Sequence, residues 1–172
     1  MPNDILHAIR SRRSVRAYQE RPIEGEKLDA LVEALIWAPS SGNFQCRRFY
    51  FLRTPERIMA VAEACFDHAW IAQAPLVVVC CRTDDIDEHY GPGSARFAIQ
   101  DVSASIQNLL LAAHSVGLGS CWVCAFDEAG LEGLLGLPAD EHPVALVTVG
   151  YAAEDPPVPE RIGPGEAVKW FD

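Results

Sequence analysis

An α+β fold organised around one long buried helix is what the 172-residue sequence predicts. Three observations carry that expectation. Residues 95–115 repeat apolar side chains at helical spacing, with Ile99, Val102, Ile106, Leu109, Leu110 and Ala113 in register. "PLVVVCCRT" and "VALVTVGY" are β-branched runs bounded by turn signals, the pattern of strands buried on both faces. Shorter amphipathic segments separate them, so helices and strands share one core.

The elements follow in order. "NDILHAIRS" reads as a short helix capped by Asn3 or Asp4, with Ile5, Leu6 and Ile9 on one face. "IEGEKLDALVEALIWA" places Leu28, Leu31, Val32, Leu35 and Ile36 on one helical stripe, and Pro39 stops it. "RRFYFLRT" predicts a strand and "PERIMAVAEAC" a helix; after the strand "PLVVVCCRT" comes an acidic loop, "DDIDEHYGPGS". The long helix is followed by a strand in "SCWVCAF", a short helix in "EAGLEGLLG" and the last core strand. Residues 1–172 read as one domain. Its tail, 152–172, is rich in Pro and Gly, and the apolar end "AVKWF" suits strand addition to a sheet edge.

Composition narrows the function classes. The net charge is −10, yet residues 1–57 carry ten Lys and Arg against seven Asp and Glu. A nucleic-acid binder would show a basic excess over the whole domain, so the pattern predicts a localised anion site instead. Twelve of the 14 cations are arginine, the side chain suited to bidentate grip on phosphate or carboxylate. No apolar run approaches the length of a membrane span, and "MPNDILHAIRSRR" lacks the order of a signal peptide. Six cysteines in apolar or strand-like contexts predict a reducing cytoplasm and not a disulfide scaffold.

Three constellations bear chemistry. "RRSVRAY" offers Arg12, Arg13 and Ser14 to one anion, with Ser14 and Arg16 on the same side if the chain runs extended; a basic helix terminus is its ordinary alternative. "APSSGNFQ" supplies Ser40, Ser41, Asn43 and Gln45 after a strong helix, although any loop can have that composition. "GLGSCWVCAF" contains Cys121 and Cys124, but a strand would point the two sulfurs apart. No second C-x-x-C and no spaced histidine pair is present, so no metal site is expected. No nucleophile with a paired base appears, which points to chemistry carried by a cofactor.

Taken together, "RRSVRAY", "APSSGNFQ", "GLGSCWVCAF" and "PVPERIGPGEAV" resemble, in order and spacing, the nitroreductase family of FMN-dependent oxidoreductases. The resemblance spans nearly the whole chain. It implies a mostly antiparallel central sheet flanked by helices, in an intertwined homodimer with FMN at the subunit interface. It further implies that Arg12, Arg13 and Ser14 hold the ribityl phosphate and that Arg161 returns to it. Arg16 would lie near N1 and O2 of the ring. Pro39, Ser40, Ser41, Asn43 and Gln45 would come from the partner, while Trp122, Val123 and Cys124 border the ring near N5. The implied activity is hydride transfer from NADH or NADPH through flavin N5 to a small electron acceptor such as a nitroaromatic or quinone, with no obligatory catalytic side chain. FMN-dependent dehydrogenases, dehalogenases and flavin-modifying relatives, or a flavin-binding module without turnover, are the alternatives. Neither a nucleic acid nor a membrane is an expected partner.

Overall fold

Strands β2 (Leu76–Thr83) and β4 (Glu141–Gly150) pair antiparallel at the centre of a four-stranded sheet. β1 (Arg47–Leu52) lies outside β2 and β3 (Gly119–Val123) outside β4, both antiparallel, giving the order β1-β2-β4-β3. The computed structural model describes residues 4–66 and 68–171. The period of two along β2 divides the core. Leu76, Val78 and Cys80 join α2 (Gly25–Ile36) and α5 (Ala95–Ser115) on one face. Val77, Val79 and Cys81 join α3 (Pro55–Glu63) and α6 (Glu128–Leu135) on the other. Every residue of β2 except Arg82 is buried, as a strand covered on both faces requires.

The predicted long helix is α5, and its Val102, Ile106, Leu109, Leu110 and Ala113 are all buried. α1 (Asp4–Ser11) forms as expected, but none of its residues is buried, and Ile5 is 74% exposed. The proposed Asn3 cap lies outside the described residues. On α2, Leu31 and Leu35 enter the core while Val32 and Ile36 remain exposed.

The acidic tract expected to be a loop contains a helix, α4 (Asp85–Tyr90). Three acidic side chains in its first turn complement the helix dipole, and Ile86 is its one fully buried anchor. The tail is not a strand beyond Gly150 among the described residues. Ala152 forms one antiparallel bridge to Tyr18, and the four-residue α7 (Pro164–Ala167) is wholly exposed. No described helix is long and apolar enough to cross a membrane.

Candidate functional site

At the end of α1 the Arg12 N–H bonds the Ala8 carbonyl at 3.0 Å, and the chain then runs extended. Ser14 bridges Ser120 in parallel, and the Val15 N–H donates to the Ser120 carbonyl at 3.0 Å, so Ser14 and Val15 lie against the outer edge of β3, while Tyr18 bridges Ala152 just past β4. Gly119 permits that approach. A Cβ there would sit 2.8 Å from Val15 Cγ2. Tyr18 locks the segment from inside. Its buried hydroxyl donates to the Val15 carbonyl at 2.6 Å and meets Thr148 Oγ1 at 2.7 Å. With Val15 and Tyr18 turned inward, Arg12, Arg13, Ser14 and Arg16 line a cleft of about 310 Å³ with Pro156, Pro157, Pro159 and Arg161.

The cleft gathers four guanidinium groups in an acidic chain. Among the described residues only Arg21, Arg48 and Arg82 of the arginines have a carboxylate within 4.0 Å, so Arg12, Arg13, Arg16 and Arg161 are four unpaired cations in one place. Arg12 Nε is buried with no hydrogen-bond partner. One nitrogen of Arg13 donates to the Arg10 and Arg12 carbonyls at 2.7 Å each, which fixes its orientation without neutralising it. Glu154 lies beside this cleft, its Oε1 accepting the backbone N–H groups of Arg16 (2.5 Å) and Ala17 (3.2 Å) without pairing with a guanidinium. Arg16 lies 5.8 Å from the Trp70 ring centroid. Uncompensated guanidinium groups with an orphaned buried N–H and an adjacent hydroxyl fit an anion with several oxygens, such as a phosphate dianion.

The loop 39–45 sits elsewhere, at the start of β1. The Ser41 N–H and hydroxyl both donate to Asp101 Oδ1, at 2.9 and 3.0 Å. Buried Arg47 donates to the carbonyls of Ile36 (3.1 Å), Ala38 (2.8 Å) and Pro39 (3.2 Å). The clamp holds Asn43 and Gln45 at φ 59°, a left-handed conformation costly for side chains other than glycine. Asn43 and Gln45 are exposed, and Ser40 and Ser41 partly so. Arg47 and Asp101 are absent from the sequence-predicted set. Asp101 was detectable, because it is a lone carboxylate within the stripe Ala98, Val102 and Ser105 that α5 buries. Arg47 gave no signal beyond being a cation at a strand start.

Trp122 is half-buried, and its indole N–H is buried without a partner. The Val123 side chain belongs to the core, so only its backbone can border a ligand. Cys121 is buried and Cys124 exposed, with both thiols free, as a strand geometry predicts. Burial pushes the Cys121 thiol up, which makes it a poor nucleophile. Side-chain atoms of Glu128, Glu132 and His142 come within 4.8 Å of one another, which their spacing in the chain does not reveal. His142 is already engaged there by Glu132 at 3.0 Å and Asp84 at 3.2 Å.

Thus Arg12, Arg13, Ser14, Arg16 and Arg161 meet in one cleft, Trp122 and Val123 lie on the adjoining strand, and Cys124 directly follows it. Pro39 to Gln45 lie at the opposite edge of the sheet, beyond β4 and β2. The two groups also hang on opposite ends of α5. Ser41 is tied to Asp101 and Ser11 to His114, roughly 20 Å apart along the helix axis.

Comparisons with known proteins bear on the family and the fold. A family profile described as "Nitroreductase family" matches residues 9–86 and 68–151. A protein of Methanothermobacter thermautotrophicus, provisionally named NADH dehydrogenase/NAD(P)H nitroreductase, is 32% identical over 157 residues, covering 89% of this chain and 80% of its own. An FMN reductase [NAD(P)H] of Bacillus subtilis is 28% identical over 181 residues, covering 96% of this chain and 72% of its own. A solved structure from Parabacteroides distasonis, also provisionally named NADH dehydrogenase/NAD(P)H nitroreductase, superimposes with a TM-score of 0.83 at 30% identity. That match covers 95% of this chain and 96% of that one.

Proposed function

The chain belongs to the nitroreductase family, and from that premise we propose that it binds FMN and acts as an NAD(P)H oxidoreductase. When bound, FMN supplies hydride transfer from NADH or NADPH to a small acceptor such as a nitroaromatic or a quinone. The observation that carries the reading is the cleft of four arginines, none of which is ion-paired. A cofactor phosphate of nearly two negative charges would pair with several of them at once.

Each part of the chain then has a task. Arg12, Arg13, Ser14 and Arg161 hold the phosphate, while Arg16 places a positive charge toward the ring, where negative charge accumulates on reduction. The end of β3 offers the Trp122 indole and the backbone of Val123 and Cys124 to one side of the ring. Asn43 and Gln45 sit on a loop that cannot reach the same cleft within one protomer. They serve the site of a second copy, which makes a homodimer the working unit.

A visible absorption spectrum of the purified protein, taken before and after anaerobic addition of NADH or NADPH, tests the reading. Flavin bands that bleach with either nicotinamide are expected. A colourless protein that leaves the fluorescence of added FMN unquenched would sink it.

A further inference from the structure

We propose that His114 is the titratable member of the phosphate site: it steadies the turn that presents Arg12 and Arg13, and it takes up a proton when a phosphate dianion enters. The proposal rests on the cofactor reading above. Ser11, the last residue of α1, donates its hydroxyl hydrogen to the His7 carbonyl at 2.7 Å. A hydroxyl has one hydrogen, so in the 2.7 Å contact between Ser11 Oγ and His114 Nε2 the imidazole must donate. The neutral ring is therefore the Nε2–H tautomer, and Nδ1 is the basic atom. The contact joins the C-terminal ends of α1 and α5 at the point where Arg12 begins. His114 also lines, with Ser11, Arg12, Arg13 and Ser120, a cleft of about 270 Å³ that shares both arginines and Pro156 with the arginine cleft.

The surrounding charges set the sign. Burial disfavours the imidazolium, and so do His7 from α1 and the guanidinium groups of Arg12 and Arg13. Gly119 and Ser120 of β3 bring no charge to this cleft. Glu154 and Asp155, following β4, line it too and act in the opposite sense, Glu154 while also accepting the backbone N–H groups of Arg16 and Ala17. The carbonyl end of α5 favours a cation at His114. A dianion beside Arg12 and Arg13 cancels their repulsion, so the imidazole of the loaded protein protonates at higher pH than that of the free protein. Affinity for the phosphate rises as pH falls through that window.

NMR titration of the histidine rings in the full chain tests this, run free, with inorganic phosphate and with FMN. His114→Gln and His7→Gln identify the signals. Either ligand should raise the His114 titration by about half a unit or more, worth about threefold in linked affinity. FMN binding to the native chain, followed by fluorescence quenching as pH falls from pH 8, should tighten more than in His114→Gln, by a factor that reaches about threefold only below the titration of the free protein; the Gln side chain keeps a donor for Ser11 but cannot titrate. FMN that binds without moving the His114 titration, and with one pH profile for both chains, overturns the proposal while leaving the cofactor reading intact. Phosphate that raises the titration in a chain that ignores FMN upholds the proposal and removes that reading. No response to either ligand ends both.

Discussion

Arg12 is a guanidinium with a buried, unpartnered Nε in a chain of net charge −10, and its removal should be costly only when a ligand is present. Arg12→Ala is expected to weaken FMN by about 2–5 kcal/mol, by analogy with truncated charge pairs at interfaces. Arg10→Ala, on the exposed side of α1, should leave the affinity unchanged, and fluorescence quenching reads both. Arg12→Lys should recover only part of the loss, because a point charge replaces a planar fork. A second residue-scale expectation concerns acid stability. Glu24 is held down to about 2 from an ordinary 4.5, chiefly by the Tyr151 hydroxyl at 2.6 Å, with Arg21 contributing at 2.8 Å. A depressed carboxylate contributes stability that is whole above its unfolded value and is lost as pH falls through the folded one. Glu24→Gln should therefore flatten the decline of melting temperature between about pH 4.5 and pH 2, relative to the native chain.

At the scale of elements, the position of the arginines depends on how closely Ser14 and Val15 lie on β3. Gly119→Ala would bring a methyl group to within 2.8 Å of Val15 Cγ2, so the segment must shift outward. FMN affinity should drop while the far side of the sheet keeps its amide hydrogen-exchange protection; unchanged affinity would mean that the close approach is not what positions the arginines. The loop clamp makes a parallel case. Asp101→Ala removes both bonds to Ser41 and should lower stability by about 2–3 kcal/mol in denaturant unfolding, the scale of hydrogen bonds to a charged group. These two devices also show what the sequence could reveal. α5 was legible to its ends because one periodic stripe, Val102 to Ala113, is buried against one sheet face. α4 was not, since six residues in an acidic Gly- and Pro-flanked tract give no period, and its stability rests on Ile86 and the dipole. The arginine segment was readable as a motif, whereas the Arg47–Asp101 clamp arises from residues 54 positions apart.

For the whole molecule, the decisive fact is that the two groups of residues proposed to hold the cofactor lie at two edges of one sheet. α5 keeps the halves roughly 20 Å apart, so no small hinge brings Asn43 to the arginine cleft of its own chain. Apolar surface is left uncovered in the same regions. Ile5 and Ile9 on α1, Trp37 after α2, and Trp170 and Phe171 in the tail are all exposed, Phe171 by 96%. A second copy related by a two-fold axis would cover such surface and deliver each loop 39–45 to the other chain's arginines. The sequence foretold the tail's apolar end and its arginine but not its path, because residues 164–171 are all exposed on the single chain. Complementation decides whether the site is shared. Arg12→Ala and Asn43→Ala should each bind FMN weakly as homodimers. Unfolded together in equal amounts and refolded, they form mixed dimers in which one site carries both defects and the other carries neither. Random pairing then restores native affinity to about a quarter of all sites, visible as a tight phase in the quenching curve. Sites built within single chains give no tight phase at any mixing ratio, because every site then keeps one of the two substitutions.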